Sequence, residues 1–184
     1  EIHERLVGSE MCIRDSPYVP LKIKLDDPRI EDKVSAIFKS VDDIEYYREV
    51  MLSVPLGKPV WSYWVTSRYG TRSDPFKKTK ARHKGVDLAS RTGNKVNVKG
   101  QGKVIRAEYA GAYGNLVVVD HGNGFQTKYA HLNKIYVKKG DRLEINDTVG
   151  EVGSTGRSTG PHLHYEVLYK GVNVDPLPFL KAKI

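Results

Sequence analysis

Four histidines and one aspartate of this sequence have the types and spacings that metal-assisted hydrolysis uses. His162 and His164 are one residue apart in the alternating run His162-Leu-His-Tyr-Glu-Val167. On a strand, side chains at i and i+2 share a face. His162, His164 and Glu166 then point one way, and Leu163, Tyr165 and Val167 the other. Two imidazoles side by side on a stiff strand suit a metal, although an exposed edge strand can carry such a pair with no metal at all. His83 precedes Asp87 by four residues, with Gly85 between them and β-prone Val86 and Leu88 close by. That pair belongs to a strand or loop, unlike the helical His-Glu-x-x-His arrangement. Zinc takes imidazole nitrogens and carboxylate oxygens, and a catalytic site leaves one position to water. His83, Asp87 and one histidine of the 162/164 pair would supply such a ligand set. Neutral imidazoles with a single carboxylate leave net positive charge at the metal, which favours ionising bound water. His131 and the other histidine of the pair would remain close by, to take a proton from water and to stabilise or protonate what leaves. Cys12 is the only cysteine, so a cysteine-based zinc site and an intrachain disulfide are both excluded.

The elements that must hold these residues are mostly short strands. From Val60 the chain alternates as a strand (Trp61, Tyr63, Val65 against Ser62, Trp64, Thr66), then loops through Ser67–Pro75 and a basic stretch to His83. Lys95–Val98, Lys103–Ala107 and Asn115–Asp120 read as strands. His121-Gly-Asn-Gly124 reads as a hairpin turn, with His121 a turn residue. Phe125–His131 is the return strand, with Phe125, Thr127, Tyr129 and His131 on one face. Lys138–Asp141 and Ile145–Asp147 are further turns. Many short strands with frequent turn signals predict a mainly β fold, an antiparallel sandwich or partly open barrel. Upstream, residues 27–40 and 43–52 read as two helices, the first with Asp27 as N-cap and Pro28 at its first position, the second with Asp42 and Glu45 at capping-box spacing. Their apolar faces, including Ile44, Tyr47, Val50 and Met51 in the second, are expected to pack on the main domain. Pro55, Gly57 and Pro59 end the helical region. The resulting division is residues 1–20 unassigned and foreign in texture to the rest of the chain, 21–58 a helical N-terminal extension, and 59–184 the main domain.

At 184 residues, one domain and an extension are expected. The sequence holds no run of about eighteen apolar residues, so no membrane span is expected. It opens at Glu1 without a starting Met or a leader, which reads as a fragment or processed form whose targeting segment lies outside this chain. The formal charge of +8 and the pI near 9.4 favour a polyanionic partner: nucleic acid, anionic lipid or a carboxylate-bearing cell wall. Lys77, Lys78, Lys80, Arg82 and Lys84 cluster without interleaved aromatics or a helical frame, so nucleic acid is not expected as a partner.

His83-x-x-x-Asp87, Tyr129-Ala-His131-Leu132 and Gly160-Pro-His-Leu-His164 resemble the three signatures of the lysostaphin-type (LytM-like) zinc metallopeptidases. The resemblance runs from about Ser67 to Pro176 and takes in Ser67–Arg72, Asp74-Pro75, Tyr113-Gly-Asn115, Asp120-His-Gly122 and Ser158-Thr-Gly160. It departs locally at Asn94–Asn97 and Asn146-Asp147, and does not extend to the first 55 residues. It implies one Zn2+ per chain on His83, Asp87 and His164, with His131 and His162 as the catalytic pair. It also implies hydrolysis of amide bonds in peptidoglycan cross-linking peptides, with stem and cross-link peptides as partners. The location implied is the cell envelope, periplasmic or extracellular. The alternative is a non-catalytic module of the same fold that binds and activates another wall hydrolase. Docking through the N-terminal helices is expected. Glu166 could orient a ligand imidazole, and Arg72, Tyr113 and Asn115 could line the substrate groove.

Overall fold

The computed structural model describes residues 28–73 and 79–182. The readings of residues 1–20, of Asp27 as an N-cap, of Asp74-Pro75 and of Lys77 and Lys78 lie outside the described residues. The chain divides into two compact units at Asp43/Ile44.

The helical segment is one element, α1 (Pro28–Ser53), rather than two. Asp42 and Glu45 have capping-box spacing, but Val41-Asp-Asp-Ile44 contains no Gly or Pro to end the helix. A capping side chain acts only where backbone N–H groups are left free. Ile44, Tyr47 and Met51, expected to line a packed face, are exposed. What is held is the C-terminal end. Gln101 N–H donates to Leu52 C=O at 2.9 Å, and Asn123 Nδ2 donates to Ser53 Oγ at 3.1 Å.

Strands come next: β1 (Trp64–Ser67), β2 (Gly70–Ser73), β3 (Lys80–His83), β4 (Val86–Ala89), β5 (Lys95–Asn97) and β6 (Gly102–Tyr109). After a 3-10 turn at Gly111–Tyr113 come β7 (Asn115–Gly122), β8 (Phe125–Leu132), β9 (Lys134–Ile135), β10 (Arg142–Leu143), β11 (Thr148–Glu151), β12 (His162–Tyr169) and β13 (Val172–Val174), then a short α2 (Leu177–Lys181). The large sheet runs β1-β4-β12-β8-β7-β6-β10, with β13 on β12. The strands β5-β11-β9 form a second sheet and β2-β3 a hairpin. Every pairing among the described residues is antiparallel and no closed barrel forms.

The β7–β8 hairpin shows why this sequence pairs as it does. Gly122 faces Phe125, leaving Asn123-Gly124 as a two-residue loop with φ of 49° and 83°. A turn with φ positive at both central residues matches the strand twist, and Asn-Gly tolerates it best. One face of the large sheet packs the core: Val86, Leu88, Tyr129, Leu163, Tyr165 and Val167 are fully buried. Each such aliphatic side chain contributes on the order of 1.5–3 kcal/mol. The other face carries the polar residues of β4, β8 and β12.

Candidate functional site

Strand register brings the predicted residues together. His164 pairs with Asp87 on β4 and with Ala130 on β8, so its side chain shares a face with both. His83 ends β3, and the link from His83 to Asp87 hugs β12 at Gly85. A Cβ there would stand 2.3 Å from the Tyr165 carbonyl oxygen, so only glycine permits the approach that carries His83 and Asp87 to the same spot.

His83 Nε2 lies 3.1 Å from Asp87 Oδ1 and 3.1 Å from His164 Nδ1. His164 Nδ1 lies 2.8 Å from the same Oδ1. The outer nitrogen of each ring is already committed. His83 Nδ1–H donates to Arg68 C=O at 2.8 Å, and His164 Nε2–H donates to Glu166 Oε1 at 3.1 Å. In the neutral tautomers so fixed, two imidazole lone pairs and a carboxylate oxygen converge at hydrogen-bond distance, and only a proton or a cation between them relieves the repulsion. This donor set fits zinc, with two imidazoles and one carboxylate whose ligand atoms lie within 4.8 Å of one another. Without a metal the proton takes that place. Burial opposes charge on His164, but Asp87 and Glu166 on either side outweigh it and raise its pKa. Burial likewise opposes charge on Asp87, yet His164 and His83 hold its carboxyl well below the usual range. Arg72 Nη1 donates to the other carboxylate oxygen, Asp87 Oδ2, at 3.2 Å.

Glu166 is fully buried beneath His164. Besides His164 it accepts from Tyr113 Oη at 2.8 Å, Asn173 Nδ2 at 2.8 Å and Lys128 Nζ at 3.1 Å. Burial would raise its pKa; His164, Asn173 and Lys128 outweigh burial and bring it down to about 2. A carboxylate held so firmly fixes the tautomer and plane of the imidazole in front of it.

His131 reaches the site against the alternation of its strand. Thr127 and Tyr129 are fully buried on the core side, and strict period 2 would send His131 there too. Instead β8 carries an extra residue. Tyr129 pairs with Val117 and Leu132 with Asn115, so three steps on β8 match two on β7. His131 at this bulge has φ of 61°, a left-handed conformation unusual for histidine. Bulges commonly re-aim a side chain in this way. The ring lands 4.8 Å from that of His162 and 5.8 Å from that of His164, centroid to centroid. His131 Nδ1–H donates to Thr155 C=O at 2.8 Å, and His162 Nδ1–H donates to Gly160 C=O at 2.7 Å. Both rings thus present Nε2 inward; that of His162 is 3.7 Å from Asp87 Oδ1. Burial, helped by the neighbouring imidazoles, lowers the His131 pKa to about 4.

These groups floor an open cleft of about 390 Å³ whose walls include Thr66, Ser67, Arg72, Tyr113, Arg157 and Ser158. Of the expected groove residues, Arg72 and Tyr113 line it, while Asn115 instead donates to Leu132 C=O at 2.9 Å and shapes the chain beside the bulge. His121 is not in the turn. It lies on β7, 5% exposed, with Nδ1–H donating to Gln101 C=O at 2.8 Å, away from the cleft. Lys128, Thr155 and Asn173 were not foreseen. Each contributes through a partner on another strand, a relation that only the folded pairing shows.

Comparison with known proteins agrees with this geometry. The model of Peptidase family M23 matches residues 81–176. Peptidoglycan DD-endopeptidase ShyA of Vibrio cholerae serotype O1 is 41% identical over 128 residues, which are 68% of this chain and 29% of that protein. The chain therefore spans less than a third of that relative's length. The crystal structure of a zinc containing peptidase from Vibrio cholerae superposes with TM-score 0.59 at 35% identity, over 72% of this chain and 40% of that one. The catalytic domain of lysostaphin from Staphylococcus simulans superposes with TM-score 0.60 at 32% identity, over 65% of this chain and 93% of that one. With fold, matched span and converged histidines in agreement, the chain belongs to Peptidase family M23.

Proposed function

We propose that this chain is a zinc-dependent endopeptidase that hydrolyses amide bonds in the cross-linking peptides of peptidoglycan, with His83, Asp87 and His164 as metal ligands and His131 and His162 as the catalytic pair. One observation carries the reading. Two imidazoles with Nδ1 tied to backbone carbonyls turn their Nε2 atoms toward a cluster of three metal-donor atoms in an open cleft. A structural metal site has no use for such a pair.

A zinc ion on the three donors supplies Lewis-acid chemistry, polarising the scissile carbonyl and acidifying water. The protein groups do the rest. His131, kept neutral by burial, offers Nε2 to accept a proton, and its Nδ1–H bond to Thr155 prevents the ring from turning away. His162, tied at Gly160, faces it across the same cleft. Together they can accept a proton from water, steady the charge that develops on the carbonyl oxygen, and return the proton to the departing amine. Arg72 and Glu166 hold Asp87 and His164 in place.

The substrate class is supported by the name of ShyA, a peptidoglycan DD-endopeptidase, and by the net charge of +8, which suits a wall bearing stem-peptide carboxylates. Action on the wall places the protein in the cell envelope. The peptidase domain is proposed to run over residues 59–184, behind a helical extension at 21–58 that serves for docking. The exposed Ile37, Tyr46, Tyr47 and Met51 of α1 support that last role. Digestion of purified peptidoglycan, with mass spectrometry of the released fragments and zinc analysis of the protein, tests the reading. One zinc per chain and new amine termini are expected. A metal-free chain that releases nothing would overturn it in favour of a module that binds another hydrolase.

A further inference from the structure

The polar face of the large sheet carries a second feature. Among the described residues β1 is its edge strand. The register sets Trp64 opposite Ala89, and Ala89 opposite His162. Directly paired residues of neighbouring strands project to the same face, so Trp64, Ala89 and His162 form one cross-strand row. Strands lie about 4.8 Å apart, which puts Trp64 about 10 Å from His162 along that row. Trp64 is 72% exposed, and Trp61, three residues upstream, is 96% exposed. Thr66 and Ser67, the next residues of β1, already line the cleft. An exposed indole therefore stands at the edge of the sheet on the face that carries the histidines, one residue, Ala89, from His162 along that row.

Large exposed aromatic surface on a soluble domain marks an interaction site. We infer that Trp64, with Trp61 in the same exposed segment, is a platform on which a sugar ring of the peptidoglycan glycan strand stacks while the attached peptide lies across the histidines. This inference rests on the peptidoglycan reading of the site. The occupant is set by chemistry. Wall peptides are built of small and charged residues that offer an indole no broad apolar face, whereas the C–H face of an N-acetylhexosamine ring is flat, apolar and the size of the indole. The spacing also fits: three extended residues span about 10 Å, so a saccharide carried a few residues from the scissile amide reaches Trp64.

The chain holds only two tryptophans, and both are in this patch. Intrinsic tryptophan emission therefore reports it alone. The unliganded protein is expected to emit like water-exposed indole and to shift to shorter wavelength, saturably, on titration with a peptide-free N-acetylglucosamine tetramer. Trp61→Phe, in which Trp64 is the sole indole, keeps the shift. Trp64→Ala raises KM on polymeric peptidoglycan by about tenfold with kcat unchanged, and leaves cleavage of a glycan-free cross-linked peptide as it was. Three results would overturn the platform: emission already shifted without ligand, no response to the tetramer, or an equal KM loss on the glycan-free peptide, which would assign the indole to the peptide. The two readings fail separately. Walls cleaved without a glycan response sink the platform alone, and a glycan response without cleavage upholds it and sinks the peptidase reading.

Discussion

Glu166→Gln tests whether the carboxylate behind His164 is what aims Nδ1 of that imidazole at Asp87, as its proposed role as a metal ligand requires. The two side chains are nearly isosteric, so shape is kept and hydrogen-bonding character changes. Glu166 is fully buried, and its two oxygens serve four donors: His164 Nε2 and Tyr113 Oη on one, Asn173 Nδ2 and Lys128 Nζ on the other. A glutamine amide has one accepting end. With its oxygen toward His164 and Tyr113, its NH2 group presses on the Asn173 amide and the Lys128 ammonium, and two bonds are lost. Turned over, NH2 faces His164 and drives the ring to the tautomer that carries its proton on Nδ1, the atom aimed at Asp87. A hydrogen bond to a charged group is worth about 1.5–3 kcal/mol, so two such bonds amount to about 3–6 kcal/mol. The Lys128 side chain is 23% exposed and can turn to water, which favours the lower end, about 3 kcal/mol of lost stability in the metal-free protein. Removing the partner of a ligating histidine also weakens metal binding by about 10–100-fold. The assays are zinc competition against a chromophoric chelator and thermal melts of metal-free protein. A variant that binds zinc as tightly as the parent and melts at the same temperature would refute the reasoning.

Other substitutions separate the roles of the histidines. His164→Ala should lose zinc and activity together, whereas His162→Ala and His131→Ala should keep one zinc and the fold while losing roughly 100-fold or more in kcat; zinc analysis beside kinetics checks this. Gly114→Ala should lower both melting temperature and activity. Its φ is 63°, and a Cβ would stand 2.4 Å from the Thr155 backbone that holds His131, a strain of about 1–3 kcal/mol. In the metal-free protein His121 and His131 should each lower stability as pH drops, while His164, whose pKa is raised, pulls the other way. Burial holds the His121 pKa below its ordinary 6.5, so below about pH 6.5 the unfolded chain binds the proton that the folded chain refuses. His121→Asn should remove its own part of that loss, so that melts from pH 8 to pH 5 show the variant losing less stability than the parent.

The site was legible in the sequence where its chemistry repeats with strand period. His162, His164 and Glu166 alternate on β12 as expected, and Gly85 marked His83 and Asp87 as non-helical. His131 was legible as a residue of the site but not in its placement, because period 2 sends it to the core and only a bulge, visible as register against β7, re-aims it. The partners of Glu166 lie 53 residues away at Tyr113 and 7 away at Asn173, and such pairings exist only once the sheet order is known. The predicted break in α1 failed for a simpler reason. Capping residues occur wherever acidic residues do, and they end a helix only where the backbone already leaves it.

The most direct test of the account is a zinc titration of chelator-stripped protein, with amine groups released from purified peptidoglycan measured at each step. Activity should rise linearly to one equivalent and stop there, and Asp87→Ala should show no such rise. Release that is undiminished in stripped protein, or absent at one equivalent of bound zinc, would contradict it.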